Sequence, residues 1–512
     1  MAADLNVGSV PPYYREVYDI LCPNQENNVD QDMFIKLLVK SSLPKQTLIQ
    51  IWELVDLKQG YLTRMGLYKA LALTAFAQQG KTVSEKLLQN FSGEELPKPS
   101  LGDLTDLRVL SIQLRREKNP TRLGLNYIEI CALDTIKVTV LPEKKGLFLK
   151  HVEYEVSSQR YKSVVQRRYN DFVALHELLL QRFPYRLIPQ LPPKKVMGAD
   201  SQFLEDRRKA LRRFLLLLAR HPIISEDKIL YFFLTFVGSD VQHKLREQFR
   251  GQPDEFLISD TANNCKELVP LDTTTQSPLV REQMKHVYFS VRQLRDIMER
   301  MVERSEEAAT DMLVFGKELS SLSNCPSPGS DWGSGGVDTW ETIKSGVSIL
   351  SPLFSTVSKA YVEQSQQEEE TLVEELNLFL DLLCAYRDMC DRNENSVIPD
   401  HQKAMNRVIR RHGSVQAPPP DAITQAQQIE NRTYFFLHCT HMETQMIHVY
   451  MSILLHVIQS LVKIESSCCN QIATLWAKML PTVESILPSS NESNTNSSSP
   501  TLSLGSPTYP SR

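Results

Sequence analysis

The spacing of apolar residues changes along the 512-residue chain, and each change predicts a different kind of structure. From Tyr13 to Phe76 apolar residues recur every three or four positions in short runs, which predicts a small all-helical region. Between residues 134 and 240, runs with alternating apolar residues precede runs with helical spacing, and this order predicts an α+β unit. The strand-like runs are 137–141, 148–156 and 161–168, and the helical runs are 170–183, 203–220 and 226–236.

A third pattern begins at Met284, where apolar residues follow nearly strict four-three spacing as far as Leu322. Residues 321–336 are rich in Ser, Gly and Pro and interrupt it, and two more long helical patterns follow at 340–389 and 422–480. Three helices of this length cannot cover the whole of their apolar stripes, which include Met298, Met301, Met312 and Phe315. The pattern therefore predicts a three-helix bundle that dimerises.

Together these patterns indicate a multidomain protein. The predicted segments are a helical domain at 10–80, a linker at 81–133, the α+β domain at 134–240, a linker at 241–275, the dimerising bundle at 276–485 and a disordered tail at 486–512. The second linker includes a weakly amphipathic stretch, 254–268, which is a candidate membrane-inserting helix. Its acids Asp254, Glu255 and Asp260 oppose that interpretation.

Charge is distributed unevenly along the chain. The formal net charge is −4, yet residues 135–237 contain 19 Lys and Arg against 10 Asp and Glu. A basic module within an acidic protein suggests an anionic partner, either a membrane or a nucleic acid. Neither a zinc-finger spacing nor an aromatic RNA-binding motif accompanies the basic residues, so we expect no nucleic-acid partner.

The chain is expected to lie in the cytoplasm. Its first residues show no secretory signal. The longest apolar tract, Met446–Ile464, is interrupted by His448, His456 and Lys463, which would be costly in a bilayer. We interpret the tract as a buried helix of a soluble domain rather than a membrane span.

One group of basic and aromatic residues carries a specific resemblance. The run from Arg167 to Phe172 reads RRYNDF, Leu191–Lys195 reads LPPKK, and Arg207 and Arg208 follow. In this order they resemble phox homology (PX) domains, and the resemblance covers about 134–240. A phosphorylated inositol needs fixed cationic donors for its phosphates and an apolar face for its ring, and this set contains both.

The resemblance implies a role for each matching residue. Arg168 would clamp the 3-phosphate, Tyr169 would pack on the inositol ring, Lys194 would contact the 1-phosphate and Arg207 would bond the ring hydroxyls. Lys195 remains an alternative to Lys194, and Arg208 an alternative to Arg207. The apolar residues Val196 and Met197 would insert into the membrane, or Met197 would simply pack on the protein.

A PX-like region followed by three long helices resembles the sorting nexins with a Bin/amphiphysin/Rvs (BAR) domain, whose helices form a curved homodimer. The resemblance implies a peripheral protein of early endosomes. It would bind phosphatidylinositol 3-phosphate on the anionic cytoplasmic face, sense or drive curvature, and support transport to the Golgi or plasma membrane. The alternative is a signalling adaptor that binds the lipid without reshaping membranes.

A basic cluster before the last helix would contact lipid at the dimer tip, or be a solvated helix end. It comprises Lys403, Arg407, Arg410, Arg411 and His412.

The N-terminal region resembles an Eps15-homology (EH) domain, chiefly through Leu48–Asp56 and Gly60. In that family Trp52 would line a pocket for Asn-Pro-Phe peptides, although a core position is the more common place for a Trp. The stretch Asp56–Leu62 lacks alternating carboxylates, and Lys58 would repel calcium, so no bound calcium is expected.

An enzyme is the remaining class. The candidates are His438, His441, His448 and His456, with Cys439 nearby. No metal-binding motif, P-loop or nucleophile motif accompanies them, so we interpret them as bundle histidines and expect neither catalysis nor a cofactor.

Overall fold

The structure is a computed structural model, and it describes residues 10–22, 28–29, 31–55, 62–84, 87, 96–141, 152–194, 200–326, 337–412 and 420–486. The chain divides into two compact units. Unit 1 comprises residues 1–293 and 375–456, and unit 2 comprises residues 294–374 and 457–512.

The described residues at the start of unit 1 form four helices and a two-stranded antiparallel sheet. These elements are α1 (Pro12–Leu21), β1 (Asn28–Val29), α2 (Gln31–Val39), α3 (Lys45–Val55), β2 (Leu62–Thr63) and α4 (Arg64–Gln78). Their amphipathic faces enclose a core that contains Tyr14, Phe34 and Tyr68. The helical prediction for this region is therefore confirmed at the level of its elements.

The predicted linker at 81–133 is in part folded structure. Residues 96–107 lie against the N-terminal core, where Leu96, Leu101 and Leu107 are buried and Pro97 accepts a 2.7 Å hydrogen bond from the Tyr14 hydroxyl. Two helices follow, α5 (Thr105–Lys118) and α6 (Tyr127–Ala132). Leu96 and Leu101 lie outside any helix, in a segment that contains Pro97 and Pro99, so helical periodicity gave no signal for their burial.

The α+β part contains the strands β3 (Ile136–Val140), β4 (Glu153–Ser158) and β5 (Ser163–Arg168), which form an antiparallel sheet in that order. Its helices are α7 (Tyr169–Arg182), α8 (Ser201–Ala219), α9 (Lys228–Thr235) and α10 (Val241–Phe249). Alternate strand residues such as Val138 and Val156 are buried, and the ring of Tyr154 meets that of Phe172 at 6.3 Å in the core. The ring of Phe249 meets that of Phe232 at 5.7 Å, so this part extends one helix beyond the predicted boundary at residue 240.

The candidate membrane-inserting stretch, 254–268, is not one continuous helix. This stretch contains two four-residue helices, α11 (Glu255–Ile258) and α12 (Cys265–Leu268). Glu255 is 6% exposed and pairs with Arg186, and Cys265 is fully buried beside Phe435. The segment is held against the protein by these contacts, so it does not present a continuous apolar face to a membrane.

Long helices complete both units, as predicted. They are α13 (Thr273–Ser323), α14 (Val337–Glu368), α15 (Glu374–Arg392), α16 (Ile398–His412), α17 (Pro420–Tyr450) and α18 (Ser452–Ile486), with π-helical segments at Glu369–Val373 and Asn393–Val397.

Within unit 2 the central helix α14 runs antiparallel to both of its neighbours. Ser358 donates to the Ala309 carbonyl at 2.7 Å, and Ser351 donates to the Gly316 carbonyl at 2.8 Å. Residue numbers therefore rise along α13 as they fall along α14. On the other side, Cys468 of α18 donates to Gln364, and the ring of Trp476 meets that of Phe354 at 5.8 Å. Residue numbers thus rise along α18 as they fall along α14. Unit 2 is thus an antiparallel three-helix bundle.

The apolar tract at 446–464 is only half-buried, so its prediction as a buried helix is wrong in part. Ile447 and Ile453 are fully buried, whereas Leu455 and Ile458 are 72% and 57% exposed. Among the described helices, the run Ile423–Ser485 is long and apolar enough to cross a membrane by length and composition alone. Its most apolar window has a mean hydropathy of 1.5 and is 28% buried.

Candidate functional site

The predicted site lies where β5 runs directly into α7, and strand alternation there separates two adjacent arginines. Arg167 points inward and is 1% exposed. Its guanidinium donates to the Phe233 carbonyl at 2.6 and 2.9 Å and to the Phe236 carbonyl at 2.7 Å, at the end of α9. Burial lowers the pKa of Arg167 to about 10, so it stays charged at neutral pH. Arg167 is therefore a structural residue.

Arg168 has the opposite orientation, and its side chain is 37% exposed. Its backbone N–H donates to Asp171 at 2.9 Å, which caps the first turn of α7. Its guanidinium lies 3.5 Å from Asp171 and 3.7 Å from Asp240. Burial raises the pKa of Asp171, and the Arg168 N–H and guanidinium offset part of that rise. Asp171 thus orients Arg168 and leaves its guanidinium accessible.

Tyr169 and Arg207 form the second part of the site. The Arg207 guanidinium carbon lies 4.7 Å from the centre of the Tyr169 ring and 4.4 Å from that of Phe203, a cation–π arrangement with both rings. The Tyr169 hydroxyl donates to the Pro192 carbonyl, and Arg207 Nη2 donates to the Pro193 carbonyl at 3.1 Å. The proline-rich loop therefore closes one side of the groove.

The geometry bears on both alternatives that the sequence left open. Arg208 pairs with Glu205 at 2.6 Å and donates to the Val138 carbonyl at 3.0 Å, so it is engaged away from Tyr169. Lys194 is exposed and follows directly on Pro193 at the edge of the groove. Lys195, together with Val196 and Met197, lies outside the described residues. The structure thus brings Arg207 against Tyr169, which directly follows Arg168, and places Lys194 next to the prolines that border this groove.

Sequence reasoning missed three contributors to this groove. Phe203 lies one helical turn before Arg207 on α8, and an aromatic residue at that spacing was an available signal. Tyr154 of β4 is fully buried; burial raises the pKa of its hydroxyl, and the nearby Arg207 charge offsets part of the rise. Asp171 was visible only as part of the motif. Arg207 Nε is buried and has no hydrogen-bond acceptor among the residues that the structure describes.

The other candidate residues lie apart from this groove. Lys403, Arg407 and Arg410 are exposed on α16, where Lys403 lies 3.5 Å from Asp400. The structure places Arg411 and His412 at the end of the same helix but does not describe their side chains. Trp52 is partly buried and its ring lies 5.5 Å from that of Phe34, so it packs on the core. The peptide pocket and the absence of calcium stay predictions, and residues 56–61 lie outside the described part.

The four histidines on the last helices do not form one site. His438 is buried, His441 meets the Thr121 carbonyl at 3.2 Å, His448 contacts the Thr444 carbonyl at 2.8 Å, and His456 lies against the Tyr127 ring. Cys439 is fully buried, and burial raises the pKa of its thiol. No group of three or more metal-ligating side chains occurs within the described ranges.

Comparison with known proteins covers most of the chain. The PX domain family matches residues 155–237. Sorting nexin-8 of Bos taurus is 44% identical over 379 residues, which are 71% of this chain and 83% of that protein, and sorting nexin-8 of Homo sapiens is 43% identical over the same length. Sorting nexin mvp1 of Aspergillus fumigatus is 30% identical over 59% of this chain and 42% of its own length.

A solved structure shows the same fold. The cryo-EM structure of the SNX-BAR Mvp1 tetramer has a TM-score of 0.52 with this chain at 22% sequence identity, and the match covers 68% of this chain and all of that one. The predicted PX domain and the BAR-type helical fold are confirmed by these matches. The EH-like region stays a prediction.

Proposed function

The chain belongs to the sorting nexin family, and from that premise we propose that it binds phosphatidylinositol 3-phosphate on early endosomes through the groove of Arg168, Tyr169 and Arg207. One observation carries the proposal. Arg168 is 37% exposed and directly precedes Tyr169, and the guanidinium of Arg207, from a different element, lies 4.7 Å from the centre of the Tyr169 ring. Asp171 and Asp240 lie 3.5 and 3.7 Å from the Arg168 guanidinium, which stays accessible to a phosphate.

Each side chain has a role that its surroundings support. Arg168 presents a planar fork, which suits bidentate binding of the 3-phosphate. The Tyr169 ring, fixed by its bond to Pro192, supplies an apolar face for the inositol. Arg207 has a buried Nε donor that suits a ring hydroxyl, and Lys194 at the edge suits the 1-phosphate. In this proposal Lys195, Val196 and Met197 add contacts from the adjoining stretch.

The helical domain would act as a homodimer that senses or drives membrane curvature and so supports transport to the Golgi or plasma membrane. Exposed apolar residues on unit 2 favour self-association, among them Ile458, Val462 and Leu480, which are 57–62% exposed in the single chain. The exposed Lys403, Arg407 and Arg410 would add attraction to anionic lipid, about 1 kcal/mol for each charge near the surface.

Cosedimentation with vesicles that contain or lack phosphatidylinositol 3-phosphate tests the lipid site. We expect Arg168→Ala to weaken binding at least about tenfold, because a charge-assisted hydrogen bond contributes about 1.5–3 kcal/mol. Arg208→Ala is the matched control, since Arg208 pairs with Glu205 outside the groove and its loss should leave binding unchanged. Equal effects of the two substitutions would refute the assignment.

Membrane remodelling needs a separate test, because the alternative function is a signalling adaptor that only binds the lipid. Electron microscopy of vesicles incubated with the purified protein distinguishes the two. Tubules that form only with phosphatidylinositol 3-phosphate support remodelling, whereas bound but undeformed vesicles support the adaptor.

A further inference from the structure

The loop of residues 184–194 has contacts at both of its ends that no motif predicts. At its C-terminal end, the carbonyls of Pro192 and Pro193 accept from Tyr169 and Arg207, and Lys194 follows at the edge of the groove. At its N-terminal end, Tyr185 and Arg186 are 3% and 5% exposed. The loop therefore forms one wall of the candidate lipid site while its other end is buried in the body of unit 1.

A buried ionic network holds the N-terminal end. Arg186 donates to both oxygens of Glu255, at 2.7 to 3.2 Å, and its Nη1 donates to Glu443 at 3.0 Å. Glu443 is 1% exposed and lies on the long helix α17. A buried charge is tolerated only when it is paired and hydrogen-bonded, so the positions of these three side chains depend on one another.

His221 completes the network and fixes the orientation of Glu443. Its Nδ1 accepts from the backbone N–H groups of Ile223 and Ile224 at 3.1 and 3.2 Å. The ring proton must then lie on Nε2, which donates to the carboxylate of Glu443 at 3.0 Å. Glu443 thus receives donors from Arg186 and His221, two separate elements of the α+β part.

Two further contacts fasten the same loop to α15. Arg392 donates to the Arg186 carbonyl at 2.8 Å, and Gln190 donates to the Asp388 carboxylate. The path of the loop from Tyr185 to Gln190 is therefore set by residues of the long helices. Because Pro189, Pro192 and Pro193 stiffen the C-terminal half of the loop, the position of the groove wall depends on these distant contacts.

We propose that Glu443 and Arg186 are positioning residues for the lipid headgroup, acting through the loop that carries Pro192, Pro193 and Lys194. The proposal rests on the function proposed above and adds a coupling between the headgroup site and α17. Such coupling is reciprocal: if the network favours headgroup binding, then bound headgroup favours the network by the same factor. A change in the position of α17 would then be felt at the lipid site, and lipid binding would be felt at α17.

The test uses the full chain and a soluble probe, dibutanoyl phosphatidylinositol 3-phosphate, titrated by calorimetry well below the unfolding temperature. Glu443→Gln keeps the shape of the side chain and removes its charge, and we expect the Kd to rise about fivefold or more, as is usual for coupled sites. Glu430→Gln is the matched control, because Glu430 lies on the same helix in an exposed pair with Lys266. Its Kd should equal that of the unaltered protein.

A double-mutant cycle distinguishes positioning from general damage. Glu443→Gln and Lys194→Ala should be less than additive, because both act through the loop, whereas Glu443→Gln and Arg168→Lys should be additive. An unchanged Kd for Glu443→Gln, or additivity in both cycles, would overturn the proposal.

Hydrogen exchange of the ligand-free protein separates this proposal from the lipid function itself. Glu443→Gln should accelerate exchange in a peptide that spans residues 187–194, and Glu430→Gln should not. Absence of probe binding by the unaltered protein would refute the lipid function, whereas an unchanged exchange rate in Glu443→Gln would refute the positioning role whether or not the probe binds.

Discussion

Adjacent arginines at the end of β5 should respond in opposite ways to the same substitution. Arg167→Met removes the donors that satisfy the carbonyls of Phe233 and Phe236, and Met has no donor to replace them. Each buried carbonyl left without a partner costs about 1–3 kcal/mol. Relief from burying a charge offsets part of this cost, since burial already lowers the pKa of Arg167. We expect a net loss of about 2–4 kcal/mol in local stability.

Hydrogen exchange is the suitable assay, because a chain with two compact units has no single unfolding free energy. Arg167→Met should accelerate exchange in β5 and α9. Arg168→Met should leave that exchange unchanged and abolish selective binding to vesicles with phosphatidylinositol 3-phosphate. The reasoning is refuted if Arg167→Met exchanges like the unaltered protein, or if Arg168→Met accelerates exchange in β5 and α9.

Two other positions give predictions of stability. Burial, with the charges of Arg186 and His441, lowers the pKa of His438 to about 4, below its value in an unfolded chain. The unfolded state then binds more protons between about pH 6.5 and 4. Stability from this residue is therefore complete above that range and falls by about 3 kcal/mol across it. His438→Gln should flatten the pH dependence of hydrogen-exchange protection in α17, and parallel curves for the two proteins would contradict this. In unit 2, a Cβ on Gly316 would lie 2.9 Å from the Ser351 carbonyl oxygen. Gly316→Ala should therefore accelerate hydrogen exchange in α13 and α14 of unit 2, despite a gain of about 1 kcal/mol in helix propensity. Slower exchange in the variant would show that the two helices can separate slightly to admit the methyl group.

The strand and helix order of the lipid-binding region was readable from sequence because its signals are local. Alternation along β5 places Arg167 and Arg168 on opposite faces, and the motif that resembles PX domains selects the exposed one. The choice between Arg207 and Arg208 was not readable from charge. It depends on Phe203 and on the carbonyl of Val138, which strand pairing brings beside Arg208.

Other features could not be predicted, because they depend on residues far apart in sequence. Arg186 and Glu443 are 257 positions apart, and neither belongs to a pattern. A lone charged residue in a loop is usually solvated, so sequence reasoning leaves Arg186 out. The same holds for the stretch 254–268: its acids already opposed membrane insertion, but the partners of Glu255 and Asp254, which are Arg186 and Arg432, lie in distant segments.

The expectation of a dimer rests partly on residues that the single chain already covers. Of the stripe residues named from the sequence, Met298 is 8% exposed and is covered within the single chain, whereas Phe315 is 51% exposed. Further uncovered apolar residues lie on α18, where Ile458, Val462 and Leu480 are spaced by whole turns and so share one face. Three helices can enclose one seam but leave the outer faces apolar, which is the physical reason to expect a second copy. Periodicity predicts that some apolar surface stays exposed, and only the packing shows which residues carry it.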